Sequence, residues 1–138
     1  MSDYLNNATV KNTLHVMEEL VYEGCNNDIN GNWSLTYEAS LWIYRVLQHT
    51  DIRMMFFSGD TDGAVPTLGS QKWIKLLRWP LKEHWRPWFS PSKQVGGYIE
   101  SYEHLDFVTV HGVGHMAPQW ARQAVTYMVT TWMHGGKI

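Results

Sequence analysis

The run Ile52-Arg-Met-Met-Phe-Phe-Ser58 constrains this chain more than any other stretch. It is nearly all apolar and ends in Gly59-Asp-Thr-Asp-Gly63. An apolar run closed by turn formers predicts a strand buried on both faces, as in a parallel sheet. A second strand is predicted at Phe107 to His111, and it also runs into a glycine-rich loop, Gly112-Val-Gly-His-Met-Ala-Pro118. Each strand is thus followed by a flexible turn that carries an ionisable residue, Asp62 in the first and His115 in the second.

The remaining pattern places helices and a hairpin around these strands. Residues 4–19 read as a short helix with Asn7 as N-cap and Val10, Leu14 and Met17 at helical spacing. Residues 23–34 are turn formers and read as loop. A stronger helix is predicted over 36–49, with Leu41, Ile43, Tyr44, Val46 and Leu47 as its apolar stripe. Another is predicted over 67–78, with Trp73, Leu76 and Leu77 on one side. Pro80, Pro87 and Pro91 fall within 79–92, which reads as an irregular connection. A strand over 94–103 and a turn at Glu103–Asp106 lead into the second apolar strand, and a helix over 119–134 closes the chain, with Ala121, Val125, Met128 and Val129 inward and Gly135-Gly136 as its stop. The order strand, Asp loop, helix, hairpin, His loop, helix is an α/β pattern, with no repeat and no linker.

Composition narrows the function. At 138 residues, 44 % apolar and 17 % charged, the chain is globular and about one domain long. A net charge of −2 argues against nucleic acid as a partner, since phosphate binding needs a basic face. No run of 18 apolar residues occurs, so no membrane span is expected. The lone cysteine, Cys25, is either an inert thiol or one half of a bond to another segment. Asn7-Ala-Thr9 and Asn32-Trp-Ser34 are glycosylation triplets of a kind that also arises by chance. The N-terminus shows no signal peptide, so a secretory protein with this sequence has lost its beginning.

Asp62 has two readings. Asp in such a loop commonly forms an Asx turn, and it can also reach over the sheet edge as a catalytic acid, with Asp60 bracing the loop. His115 is either a surface histidine or an imidazole held at a strand end with room for substrate. His111 and His115 are four apart, a zinc spacing on a helix, but they flank a glycine-rich loop with no third ligand near. Neither a metal nor a cofactor is expected. None of the serines stands in Gly-x-Ser-x-Gly, so the chain shows an acid and a base but no nucleophile.

The stretch Phe57-Ser-Gly-Asp-Thr-Asp-Gly-Ala-Val-Pro-Thr-Leu-Gly-Ser-Gln-Lys-Trp-Ile74 resembles the acid motif of the serine carboxypeptidases. Phe107-Val-Thr-Val-His-Gly-Val-Gly-His-Met-Ala-Pro-Gln-Trp120 resembles their histidine motif. Trp85-Arg-Pro-Trp88 and Val95-Gly-Gly-Tyr-Ile-Glu-Ser-Tyr102 are similar to the same family, and Tyr4-Leu-Asn, Leu14-His-Val, Cys25, Trp33 and Ser34 fit its lead-in. Arg122 departs from the small residue usual at its place.

The resemblance implies the last strands, a hairpin and the flanking helices of an α/β-hydrolase fold, with residues 1–138 as a single partial domain. It implies Asp62 as triad acid, His115 as triad base, and Met116 beside the pocket for the substrate's C-terminal side chain. Cys25 would pair with a cysteine upstream, and Asn7 and Asn32 would be glycosylation candidates. The serine, the oxyanion segment and the grip on the substrate carboxylate lie upstream in the family. This chain therefore reads as the C-terminal third, either a processed small chain or a truncated product, whose partners are the missing serine-bearing segment and a peptide C-terminus. The implied setting is the secretory pathway, lysosome or vacuole, or outside the cell. Two other activities fit the same residues: an acyltransferase of this family, and an inactive homologue acting as a binding subunit.

Overall fold

The computed structural model describes residues 1–35 and 39–138, which fall into two compact units, Met1–Tyr37 and Glu38–Ile138.

The first unit is built from α1 (Ser2–Leu5), α2 (Ala8–Thr13) and α3 (Asn27–Asn32). The single helix expected over 4–19 is instead two short ones. Asn7 does cap the second: its side chain accepts from the Thr9 N–H at 2.9 Å, in extended backbone that breaks the first helix. The chain leaves the helix at Leu14, and His15 has a left-handed φ of 55°, so Leu14 and Met17 are exposed rather than inward. The expected loop over 23–34 contains α3, because Asn26 caps it by accepting from the Ile29 N–H at 2.9 Å. Asn and Asp favour caps as well as turns, and that ambiguity hid the helix. Two polar ties hold the unit together. Asn6 exchanges two hydrogen bonds with the Tyr22 backbone, at 3.0 and 2.7 Å. The buried Lys11 ammonium donates to the carbonyls of Glu18 and Leu20.

The second unit is a four-stranded mixed sheet between helices. Its elements are α4 (Leu41–Leu47), β1 (Met54–Gly59), α5 (Thr67–Leu76), β2 (Leu81–Phe89), β3 (Val95–Tyr102), β4 (Leu105–Val110), α6 (Ala117–Trp120) and α7 (Arg122–Met133). The strand order is β1-β4-β3-β2, with β1 parallel to β4 and the other neighbours antiparallel. Strand periodicity sorts β4 between two cores. Val108 and Val110 join Trp88, Ile99, Ala117, Val125 and Met128 on one face. Leu105 and Phe107 join Ile74, Leu77 and Trp79 on the other.

Several expectations change here. Residues 36–38 of the helix expected over 36–49 lie outside the described residues, and of its stripe Ile43 and Val46 are exposed. In β1, Met54–Phe57 are half-buried, not buried on both faces, because among the described residues the strand pairs on one side only. On α5, Leu76 is 62 % exposed and Ile74 takes the inward place. The closing helix is two pieces broken at Ala121, with Val125 and Met128 buried as expected. The expected turn at Glu103–Asp106 is shorter, since β4 starts at Leu105. The supposed irregular connection over 79–92 holds strand β2. Its Pro87 is tolerated because β2 is the outer strand, where a missing N–H breaks no ladder.

Trp88 locks this sheet to the end of β4. Its indole crosses Gly96 and Gly97, where any Cβ would collide with the ring or with the Thr109 carbonyl, and its Nε1–H donates to Thr109 O at 2.9 Å. Gly97 also has a φ of 151°, which side-chain-bearing residues rarely adopt. Trp88→Ala is expected to lower the stability of the sheet unit by about 3–5 kcal/mol, through the cavity left in the core. Trp88→Phe is expected to do less harm, leaving the Thr109 carbonyl unpaired. Denaturant titration followed by near-ultraviolet circular dichroism checks both, and a wild-type midpoint for the alanine variant rules the packing account out.

Candidate active site

Because β1 and β4 are parallel neighbours, both strands end at the same edge of the sheet. The last paired residues are Gly59 and Val110. Beyond them the two loops stay zipped: Asp60 N–H donates to Val110 O at 3.0 Å, and Thr61 N–H to Val113 O at 3.1 Å. Gly59 makes this approach possible, since a Cβ there would strike the carbonyls of Val113 and Gly114.

The zipped loops bring Asp62 and His115 together across 53 residues of sequence, with Asp62 Oδ2 3.0 Å from His115 Nδ1. The other oxygen, Oδ1, accepts from the N–H groups of Ala64 at 2.8 Å and Val65 at 3.0 Å. Asp62 therefore makes an Asx turn through one oxygen and meets a histidine through the other. The side chain of Asp62 is 7 % exposed and that of His115 58 %, so the acid is covered and the base open. The Val65 N–H is the main cause that holds the Asp62 carboxyl below its ordinary range. Partial burial opposes it, and the His115 contact and the Ala64 N–H add to it. An ionised carboxylate only accepts, so Nδ1 of His115 carries the hydrogen and Nε2 presents a lone pair.

Beneath the pair lies a cavity of about 290 Å³ walled by Phe56, Phe57, Val65 and Ala117. Ser58 also lines it, but its buried hydroxyl is engaged with Thr67 Oγ1 at 3.1 Å and Gly59 O at 3.3 Å. Larger cavities lie elsewhere, one of about 500 Å³ around Asp28–Ser34 and one of about 600 Å³ among α4, β1 and α7, and the Asp62–His115 pair lines neither.

The Asp60 side chain, expected to brace its own loop, instead bonds the other loop. Its Oδ2 lies 2.7 Å from His111 Nδ1, and its Oδ1 accepts from Gly112 N–H at 2.8 Å. The two histidines therefore face separate carboxylates. Among the described residues no three His, Cys, Asp or Glu side chains gather as a metal site. Two acids in one loop and two histidines in the other were the available signal for this second pair.

Of the other sequence-predicted residues, Met116 follows His115 and is 47 % exposed. In the first unit, Cys25 is an exposed free thiol. Asn7 and Asn32 are exposed there too, Asn7 capping α2 and Asn32 donating to Asp28 O at 2.8 Å. No described helix is long and apolar enough to cross a membrane.

The sequence and fold are similar to those of known proteins. The family model described as serine carboxypeptidase matches residues 1–135. Serine carboxypeptidase-like 25 of Arabidopsis thaliana is 35 % identical over 135 residues, covering 96 % of this chain and 28 % of that protein. Serine carboxypeptidase 1 of Hordeum vulgare is 31 % identical over 145 residues, covering 98 % of this chain and 27 % of its own length. The crystal structure of Kex1(delta)p, a prohormone-processing carboxypeptidase from Saccharomyces cerevisiae, superposes with a TM-score of 0.70 at 20 % identity, covering 97 % of this chain and 31 % of that one. The chain thus spans less than a third of the length of these proteins, and its mixed sheet with flanking helices is a partial α/β-hydrolase fold. By the match along nearly its whole length, the chain belongs to the serine carboxypeptidase family.

Proposed function

We propose that this chain supplies the acid and base of a serine-type carboxypeptidase, Asp62 and His115, to a serine carried by a segment outside these residues. The observation that carries the reading is the 3.0 Å contact between a covered carboxylate and an open imidazole at the C-terminal edge of two parallel strands. That contact fixes the tautomer in which Nε2 is the base. In the reaction, Nε2 takes the proton of the serine hydroxyl as its oxygen attacks the last peptide carbonyl. The resulting imidazolium returns the proton to the departing amine, which leaves as the free C-terminal amino acid. Water then repeats the sequence on the acyl-enzyme, with His115 again holding and returning the proton. Asp62 steadies the imidazolium throughout and keeps its own charge.

In the enzyme assembled with its serine-bearing segment, Asp62→Asn is expected to lower kcat about 10⁴-fold on a blocked dipeptide, because the amide favours the wrong tautomer. His115→Ala is expected to remove turnover above the residual left by binding alone. Wild-type kcat in either variant refutes the assignment.

The Asp62 carboxyl is held low, so it stays ionised as pH falls through the ordinary Asp value of 3.8. Its pairing with His115 is accordingly retained at pH 4 and lost only at lower pH, as the carboxylate takes up its proton. Carbon-13 NMR of the Asp62 carboxyl is expected to show a midpoint below that of exposed aspartates, and a midpoint above it contradicts the backbone hydrogen bonding described.

Met116, exposed next to His115, borders the position of the substrate's terminal side chain in this reading. Met116→Gly is expected to change the ranking of C-terminal residues by KM severalfold while sparing the kcat of the best substrate. An unaltered ranking across aliphatic, aromatic and basic termini removes Met116 from the pocket.

A further inference from the structure

We propose that Asp60 and His111 form a positioning clamp that holds the His115 imidazole against Asp62, an inference that rests on the catalytic reading above. The loop bearing His115 leaves β4 at His111 and turns at Gly112, where φ is 72°. Asp60 grips both residues of that turn. One oxygen is 2.7 Å from the His111 ring, and the other accepts the Gly112 N–H at 2.8 Å. The Asp60 N–H is itself fixed to Val110 O at 3.0 Å, so a single residue ties the exit of β1 to the exit of β4 by three bonds.

Downstream, the path from Gly112 to His115 is held to the other loop by few groups. Thr61 N–H bonds Val113 O at 3.1 Å, and Asp62 meets the His115 ring. The loop contains Gly112 and Gly114 on either side of Val113, which widen the backbone conformations open to it. The imidazole is 58 % exposed, so its neighbours do not fix it by packing. The loop is anchored downstream by Ala117 in the core and upstream at its start, and Asp60 sets that start. His111 is exposed and contributes through the loop, touching neither member of the Asp62–His115 pair in any hydrogen bond. Asp60 and His111 are thus positioning residues: they act through the turn.

The test reads the Asp62–His115 bond directly in the 138-residue chain. The His115 Nδ1–H is assigned by nitrogen-edited NMR against His115→Gln, and its exchange with water is measured. Asp60→Ala and His111→Ala are each expected to speed that exchange about tenfold or more, or to erase the signal. His111→Asn, whose amide nitrogen overlays Nδ1 of the ring, is expected to restore it. In the assembled enzyme, Asp60→Ala is expected to lower kcat by about ten- to a hundredfold, with KM within about twofold, as for a misplaced catalytic group. It is expected to add nothing in an Asp62→Asn background, since both changes disable the same unit. Unaltered exchange in Asp60→Ala and His111→Ala overturns the clamp, as does a full additional loss of kcat in the double variant. If Asp60→Ala does not fold, His111→Ala decides, because it keeps the Asp60–Gly112 bond. The NMR result needs no turnover. A chain with the expected exchange pattern and no activity when assembled sinks the catalytic reading alone, and an active enzyme with unaltered exchange sinks the clamp alone.

Discussion

Parallel pairing of β1 with β4 is the constraint from which the site follows. Two neighbouring strands running the same way end at the same edge, so the loops after them meet. Had the pair been antiparallel, six paired positions would have put the exits of the two strands at opposite ends, roughly 20 Å apart at about 3.3 Å per residue. No side-chain rotamer spans that distance. The pairing also removes any need for Asp62 and His115 to be close in sequence. What each loop must supply is a short glycine-bearing path from the strand end to the ionisable residue, and both loops do.

The strands can serve as a fixed reference because β4 is covered on both faces. Val108 and Val110 are buried against α7 and Trp88, while Leu105 and Phe107 are buried against α5 and Trp79. The Trp88 indole reaches over two glycines of β3 to a β4 carbonyl, which links the outer hairpin to the strand that carries the histidine loop. Packing forces and one buried hydrogen bond therefore act on the same strand. A loop anchored to such a strand varies in its path, not in its origin, and the placement of His115 reduces to the few bonds that govern the path.

The chemistry-bearing loops were legible in the sequence because their signals are local: an apolar strand, then glycine, then an acid or a histidine. The helices at 67–78 and 119–134 were legible in outline for the same reason, through spacing. What escaped depends on neighbours. Pro87 reads as a breaker until β2 is known to be an outer strand. The Met54–Phe57 run reads as doubly buried until β1 is seen to have one partner among the described residues. The Asn-rich segment around α3 reads as loop because the same side chains that make turns also cap helices. Asp60 with His111 escaped because the four-residue spacing of the histidines drew them together as a pair, whereas the fold sends each to its own carboxylate.

The division of labour within Asp62 bears on how the pair operates. Two backbone N–H groups satisfy Oδ1 before any histidine is considered, and the stronger of their effects comes from Val65. The carboxylate is thereby held as an anion chiefly by a backbone group, with His115 adding to the effect. In the proposed reaction, when the imidazole gains a proton at Nε2, the anion beside it stabilises the new cation and disfavours transfer of the Nδ1 proton, since that would leave two N–H donors facing a neutral acid. The proton thus stays on the ring, where the departing amine can collect it. A carboxylate bonded only to the histidine would lack this restraint. The Asx turn, which looks like mere loop architecture, is what chiefly holds Asp62 as an anion beside His115.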